Sequence, residues 1–503
     1  MAKAIMIQGT GSHVGKSIIT AGICRIFRDM GYKVAPFKAQ NMALNSAVAK
    51  DGGEIGRAQA IQAEACGIEP SVHMNPVLLK PISDMGSQVI VHGKVVGNMK
   101  AREYYAFKNS AWAAVCESYK KLSKEFDLII IEGAGSPAEI NLKENDIVNM
   151  KVAEMTGARV IIVSDIDRGG VFASLIGTIE LLTPLERAMV CGFIINKFRG
   201  DKTLLEPGLS FIRDRTGVPV LGVVPHIKDM GIGEEDSVGL ENTGVRGQRS
   251  GGSGVGCAHQ IKIGVIRLPH ISNYTDFDPF QGEPDVQLSY TQRPEEVYGL
   301  DLVIIPGSKN TIDDLRFLKN IGLAEAIKEH YREGNHVVGI CGGYQMLGCK
   351  VSDPCGVETE GASEEGLGLL PVETVLLKDK VTANVEAVGS QQSAVCVKGY
   401  EIHMGESAIA GDAKPMFVIR KRNGDAVEIP DGAMTKDGRC WGTYIHGVFD
   451  NDEFRRDFLN GIRRGKGWNA INVAVKKDDG FDRLAAVLKE NLDMDRILEF
   501  ITM

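Results

Sequence analysis

Two short stretches of this 503-residue chain carry residue types at spacings that do chemistry. The first, Gly9-Thr-Gly-Ser-His-Val-Gly-Lys-Ser17, follows an apolar run and opens a helical one. Its glycines let backbone N–H groups converge on a phosphate, and the helix N-terminus adds partial positive charge. Lys16 then reaches the β- and γ-phosphates of ATP, while the Ser17 hydroxyl is a ligand for Mg²⁺. The spacing departs from the usual phosphate loop. Thr10 stands where the first glycine is expected, Gly9 lies one residue earlier, and Gly15 precedes the lysine. A glycine-rich turn without nucleotide is the alternative, and placement between strand and helix argues against it.

The second stretch, Val337-Val-Gly-Ile-Cys-Gly-Gly-Tyr-Gln-Met346, holds Cys341 on a tight turn between a strand and a helix. Such a turn exposes the thiol, the helix start favours its thiolate, and the N–H of Gly342 can stabilise an oxyanion. A base is offered by His446 at a strand end in Gly442-Thr-Tyr-Ile-His-Gly-Val-Phe449. A second backbone turn, Ile305-Pro-Gly-Ser-Lys-Asn310, brings Gly307 as a further oxyanion donor. The chemistry is acyl capture by a thiolate. His403, in Tyr400-Glu-Ile-His-Met-Gly405, reads equally well as a substrate contact and as a structural histidine on a strand.

A third feature belongs with the first. Asp127-Leu-Ile-Ile-Ile-Glu-Gly-Ala-Gly135 ends a buried strand on a carboxylate, at the sheet edge where ligands bind, so Glu132 is a candidate metal ligand. Asp127, at the strand start, reads as structural.

The elements that must position these groups alternate between apolar runs and helical stretches. Strands are expected at Ala4–Gln8, Lys33–Phe37, Asp127–Glu132, Val160–Asp165, Val190–Asn196 and Val218–Val224. Continuous apolar runs separated by helices indicate a parallel sheet covered on both faces. A polar, glycine-rich stretch over 241–260 reads as a flexible linker. The pattern restarts with Ile261–Arg267, Leu302–Pro306, Val337–Ile340, Phe417–Ile419 and Gly442–Ile445, and ends in helices over the last fifty residues. The expected organisation is therefore α/β with two doubly wound domains, 1–240 and 261–503, the helical tail belonging to the second. Ser352–Gly366 and Lys378–Lys398 are expected to be surface excursions.

The totals exclude several classes. With 57 Lys and Arg against 65 Asp and Glu, the formal charge of −8 argues against a general nucleic-acid surface. An anionic small substrate stays compatible. No apolar run nears the ~20 residues of a membrane helix, and Met1-Ala2-Lys3 leads straight into a strand-like run, so a cytoplasmic location is expected. Ten scattered cysteines with no CxxC pair suggest neither a disulfide scaffold nor a zinc site.

Two resemblances sharpen this reading. The phosphate loop together with the Glu-Gly-Ala-Gly turn resembles dethiobiotin synthetase, an ATP-dependent ligase that activates a carboxylate by phosphorylation. That resemblance implies a P-loop NTPase-like domain, a further acidic metal ligand at Glu54 with Asp51 as the alternative, and adenine contact through Asn196. The cysteine and histidine motifs resemble class I glutamine amidotransferases, whose catalytic domain is flavodoxin-like and whose substrate is L-glutamine. That class carries a Glu two residues after the histidine. Here the position is Val448, as in the cobyrinate-type branch, which leaves the orienting group open.

The fusion of both types resembles the corrinoid amidases of cobalamin biosynthesis. Pro36–Asn45, Asp51–Gln59, Met74–Pro81, Ser164–Phe172 and Pro269–Pro279 carry that likeness along nearly the whole chain. It implies glutamine- and ATP-dependent amidation of an anionic corrinoid. Pro36–Asn45 and Asp165–Phe172 favour the branch that amidates the b, d, e and g carboxylates of adenosylcobyrinic acid a,c-diamide over the branch that makes the a,c-diamide. Lys38, Asn41, Asn45, Lys80, Asp165, Asp167, Arg168 and His403 are polar residues that could hold the corrinoid. A P-loop switch ATPase with an inactive amidotransferase domain is the distant rival, and it predicts loss of Cys341 or His446.

Overall fold

Strands that are β-branched and apolar along their whole length need cover on both faces, and the first half of the chain provides it. The structure, a computed structural model, describes residues 2–83, 86–227, 259–359, 361–390, 395–411, 413–472 and 480–502. Its first compact unit comprises Met1–Ala43, Gly53–Glu235 and Lys477–Met503; the second comprises Leu44–Gly52 and Asp236–Lys476.

In the first unit six strands form one parallel sheet in the order Val220–Pro225, Val190–Phe198, Arg159–Asp165, Lys3–Gly9, Leu128–Glu132, Val34–Phe37. Successive side chains point to opposite faces. Ile5 and Ile7 accordingly join the core under helix Lys16–Asp29, while Met6 joins the opposite core with Ile129 and Ile131. The first strand lies between the third and fourth in chain order, so the phosphate loop leaves the sheet where strand order reverses, as ligand sites in open α/β sheets do.

A separate four-stranded sheet, Gln40–Met42, Val77–Ser83, Gly86–Val91 and Lys94–Lys100, was not foreseen from the sequence.

Two boundaries differ from expectation. The closing helices Gly480–Asn491 and Met494–Thr502 belong to the first unit, not to the amidotransferase half. Leu484, Leu488, Leu492, Ile497 and Ile501 are buried with Ile5, Ile7 and Ile23, and a Cβ on Gly22 would come within 2.3 Å of Leu488. An amphipathic helix declares that it has an apolar face, but not which core that face covers. Conversely Leu44–Gly52, expected inside the nucleotide domain, packs in the second unit. The expected linker over 241–260 lies, save its last two residues, outside the described residues.

The second unit has a sheet in the order Val286–Thr291, Ile261–Ile266, Leu302–Ile305, His336–Ile340, Cys440–Thr443, all parallel, with Ala433–Met434 added antiparallel. Numbered along the chain, the five parallel strands run 2-1-3-4-5, the flavodoxin-like order. The strand expected in this sheet at Phe417–Ile419 forms over Phe417–Arg422 and instead pairs antiparallel with Val372–Gly389 in a second sheet. That sheet also corrects the excursion expected over Lys378–Lys398. Most of it lies in the long strands Val372–Gly389 and Cys396–Ile409.

No helix among the described residues is long and apolar enough to cross a membrane.

Candidate active sites

In the first unit, helix Lys16–Asp29 starts from Gly15 at φ 97°. A Cβ there would lie 2.1 Å from Asn196 Nδ2, so both conformation and space require glycine. On Gly9 a Cβ would meet Val14 at 2.7 Å. The close approach expected of the first loop glycine therefore falls to Gly9, while Thr10 is free to bond Ser164 through its hydroxyl at 2.9 Å. Lys16 Nζ donates to the carbonyls of Gly11 at 2.8 Å and Gly135 at 3.2 Å, joining the phosphate loop to the Glu132-Gly-Ala-Gly135 turn.

Glu132 is the centre of a buried polar group. Its Oε1 accepts from Ser17 Oγ at 2.9 Å and from Lys38 Nζ at 2.8 Å; its Oε2 accepts from Gln62 Nε2 at 2.5 Å. Burial alone would raise the Glu132 carboxyl, but Lys38, Gln62 and Lys16 outweigh it and hold it below the ordinary carboxylate range. It is a carboxylate at neutral pH. A hydroxyl and a carboxylate oxygen side by side at the mouth of a phosphate loop are hard oxygen donors of the kind that suit Mg²⁺. Among the described residues no three His, Cys, Asp or Glu side chains gather into a metal-binding group.

The other expected residues are placed differently. Glu54 forms a buried ion pair with Lys80 at 2.8 Å, and Asp51 is exposed and lies in the second unit. Asn196 donates from Nδ2 to Val14 O at 2.9 Å, bracing the phosphate loop, where adenine contact was expected. Asp165 accepts from Lys197 at 2.8 Å and from the Asp167 N–H at 2.8 Å, which orders its own loop. Asn41 donates to Gln59 at 3.1 Å, and Asn45 is buried in the second unit.

In the second unit, Cys341 stands at φ 52°, ψ −111° between strand His336–Ile340 and helix Gly342–Leu347. A non-glycine residue held there is strained, as the nucleophile of a strand–turn–helix elbow is. The neighbouring chain allows no other fit. A Cβ on Gly342 would lie 2.9 Å from Ser308 N, and one on Gly307 would lie 3.2 Å from His446 Cε1 and 3.8 Å from Cys341 Cβ. Gly307 thus borders both the cysteine and the imidazole, and Gly342 follows Cys341 directly in the chain.

His446 is buried, and its Nδ1 meets Asp276 Oδ2 at 2.6 Å. Burial by itself would lower its pKa. The charge and hydrogen bond of Asp276, with Cys341 bonded to the same ring, outweigh burial and raise it to about 10. Nδ1 is committed to the carboxylate, which leaves Nε2 for the thiol. Asp276 therefore orients the His446 ring, and it comes from the 3₁₀ helix Tyr274–Gly282, 170 residues before the histidine. Asp276 lies within the Pro269–Pro279 motif, where its type and spacing alone assign it no role. A signal was present: Tyr274, Phe277 and Phe280 recur every third residue and are buried, as one face of a 3₁₀ turn would be. A carboxylate amid such a face needs a partner.

His403 stacks on Tyr444 with centroids 3.8 Å apart, and its Nδ1 lies 3.2 Å from Gly405 O and its Nε2 3.5 Å from Glu401. It is an interior histidine of the second unit.

Comparison with known proteins agrees with both halves. Residues 5–237 match the CobQ/CobB/MinD/ParA nucleotide binding domain, and residues 262–454 match the CobB/CobQ-like glutamine amidotransferase domain. Cobyric acid synthase of Syntrophobacter fumaroxidans is 50% identical, with 99% of each chain covered. That of Moorella thermoacetica is 51% identical over 99% of this chain and 97% of its own, and that of Dehalococcoides mccartyi 48% over 99% and 98%. With a phosphate loop in one unit, a cysteine elbow in the other and likeness along the full length of these relatives, the chain belongs to the cobyric acid synthase family.

Proposed function

We propose that this chain amidates the b, d, e and g side-chain carboxylates of adenosylcobyrinic acid a,c-diamide, consuming one ATP and one glutamine per amide. The observation that carries it is the full-length likeness to cobyric acid synthases in a chain that retains both a phosphate loop and a Cys341–His446 pair.

At the glutamine site the Cys341 thiolate attacks the carboxamide carbon, and the N–H groups of Gly307 and Gly342 receive the developing oxyanion. The His446 imidazolium protonates the departing nitrogen, ammonia leaves, and a thioester remains. Neutral His446 then takes a proton from water, which hydrolyses the thioester to glutamate. In the first unit a corrinoid carboxylate oxygen attacks the γ-phosphorus and ADP leaves. Ammonia then attacks the acyl phosphate and phosphate departs. Activation is required because a carboxylate is a poor electrophile and hydroxide a poor leaving group. Ser17 and Glu132 would hold Mg²⁺, which neutralises phosphate charge when bound. Glu54 can join only if its pair with Lys80 opens. Lys38 would neutralise an incoming carboxylate only if its pair with Glu132 opens.

Asp276 has a specific job in this scheme: it keeps the Nδ1 proton in place and prolongs the imidazolium form. Asp276→Asn should lower glutaminase kcat by between about 100- and 10,000-fold, because the wrong tautomer and a less basic ring result. His446 is protonated up to about 10; without the carboxylate, burial pulls that value down, so the alkaline limb of kcat/KM moves toward neutral pH. A pH–rate profile of both proteins checks this.

Mass spectrometry of the corrinoid after incubation with ATP, Mg²⁺ and glutamine tests the function as a whole. Stepwise mass changes matching carboxyl-to-carboxamide conversion are expected on the a,c-diamide. Consumption of the free acid with no change in the a,c-diamide would overturn the assignment of carboxylates.

A further inference from the structure

Leu44–Gly52 comes from the nucleotide half of the sequence yet is part of the second unit. The chain enters it after strand Gln40–Met42 and rejoins the first unit at Gly53. Its middle is fully packed: Asn45, Ser46, Ala47, Val48 and Ala49 are buried.

Its contacts converge on one place by three routes. The first leads to the base. The Ser46 N–H donates to Asn273 Oδ1 at 2.9 Å, both groups buried. Asn273 is held left-handed, at φ 54° and ψ 41°, at the start of the 3₁₀ helix Tyr274–Gly282. Asp276 lies in the first turn of that helix, and its N–H donates to Asn273 O at 3.1 Å. Asn273 Nδ2 also stands 3.5 Å from His446 Nδ1. Because Nδ1–H is given to Asp276, the amide walls the ring and does not bond it.

The second route leads to the oxyanion turn. Ser272 Oγ donates to Leu44 O at 2.9 Å, and Ser272 pairs antiparallel with Gly307. The third leads to the nucleophile. Val48 forms a closed apolar cluster with Tyr400 and Ile402. The Tyr400 ring stacks on His446 with centroids 5.2 Å apart, and Ile402 O faces Cys341 Sγ at 3.5 Å. Asn384 Nδ2, donating to Ala49 O at 3.1 Å, anchors the segment's far end.

We propose that Leu44–Gly52 is a positioning segment of the glutamine site, acting chiefly through the Ser46 N–H on Asn273 and thereby on the seat of Asp276. The inference rests on the reading of Cys341 and His446 as the glutaminase pair. It makes the glutamine site dependent on residues about 220 positions before the amidotransferase domain begins. The segment touches the neighbours of the base, of the oxyanion turn and of the nucleophile, so its role is geometric. It should govern turnover more than glutamine binding.

Substitution within the full chain separates this from simple packing. Ser46→Pro removes the N–H and touches no site side chain; Ser46→Ala keeps the N–H. With Ser46→Pro, glutaminase kcat should fall at least about 10-fold while KM for glutamine stays within about twofold. The alkaline limb of the pH profile should shift toward neutral, as in Asp276→Asn. Ser46→Ala should keep the wild-type limb. Ammonium-supported amidation, measured on the same preparations, should persist and reports that the first unit is folded, while the unchanged KM for glutamine reports the same of the second. If Ser46→Pro fails that control, Asn273→Ala replaces it, since it deletes the acceptor of the same bond, and the same kcat loss and limb shift are expected. A folded Ser46→Pro chain, or Asn273→Ala in its place, with wild-type kcat and pH limb would overturn the inference. A Cys341→Ala chain that still hydrolyses glutamine would instead overturn the reading on which it rests.

Discussion

Replacing Cys341 by alanine should abolish glutamine-supported amidation, a loss on the order of 10,000-fold or more, and leave ammonium-supported amidation near its wild-type rate. The asymmetry comes from what the thiol does. It forms the one bond that breaks the carboxamide, and no neighbour can take that place: the base is His446, and the adjoining positions 342 and 343 are glycines. A Cβ at Gly343 would sit 1.9 Å from Ile305 O, so a nucleophile cannot be grafted one residue along. Alanine itself fits, since it keeps the Cβ that Cys341 already places there. Steady-state rates with each nitrogen source, on one preparation, check the expectation. Glutamine-supported turnover surviving in the variant would show that another group opens the amide.

The parts of this molecule visible in its sequence were those buried on both sides. All six strands of the first parallel sheet were expected within two residues of where they form, because Leu-Ile-Ile-Ile over 128–131 and Val-Ile-Ile-Val over 160–163 read the same whichever face is counted. Val372–Gly389 is also a strand, with a register shift between Val375 and Lys380, and its part from Lys378 onward falls in the excursion expected over Lys378–Lys398. Its burial alternates over much of its length and Lys378, Asp379 and Lys380 interrupt it, as suits a sheet with one wet face.

The same contrast runs through the sites. Lys16, Ser17, Glu132, Cys341 and His446 sit at strand ends or helix starts, beside turns whose glycines announce them. Asp276 meets His446 only through the tertiary fold, and the spacing rule of the class pointed to Val448, which is buried and apolar. Adenine contact through Asn196 is what the resemblance to dethiobiotin synthetase implies; the residue lies on strand Val190–Phe198 beside the nucleotide loop, where its Nδ2 donates to Val14 O. Sequence motifs placed these residues at the right sheet edge; which way each side chain faces was settled by partners far along the chain.

Lys16→Ala should stop amide formation with either nitrogen source, by at least about 100-fold, in the range seen when one donor to a transition-state anion is removed. The residue is nearly buried, and its ammonium is held between the carbonyls of Gly11 and Gly135, where a bound phosphate would meet it. Carboxylate activation precedes any use of ammonia, so supplying ammonium cannot bypass the defect. Glutamine hydrolysis, whose chemistry needs no nucleotide, should remain measurable. The two substitutions therefore fail in opposite ways: ammonium rescues the Cys341 variant and does nothing for the Lys16 variant. Were Lys16→Ala to make amide from ammonium at the wild-type rate, the phosphate loop would not be the place where the carboxylate is activated. The glutamine half of the mechanism would still stand, because none of its steps passes through Lys16.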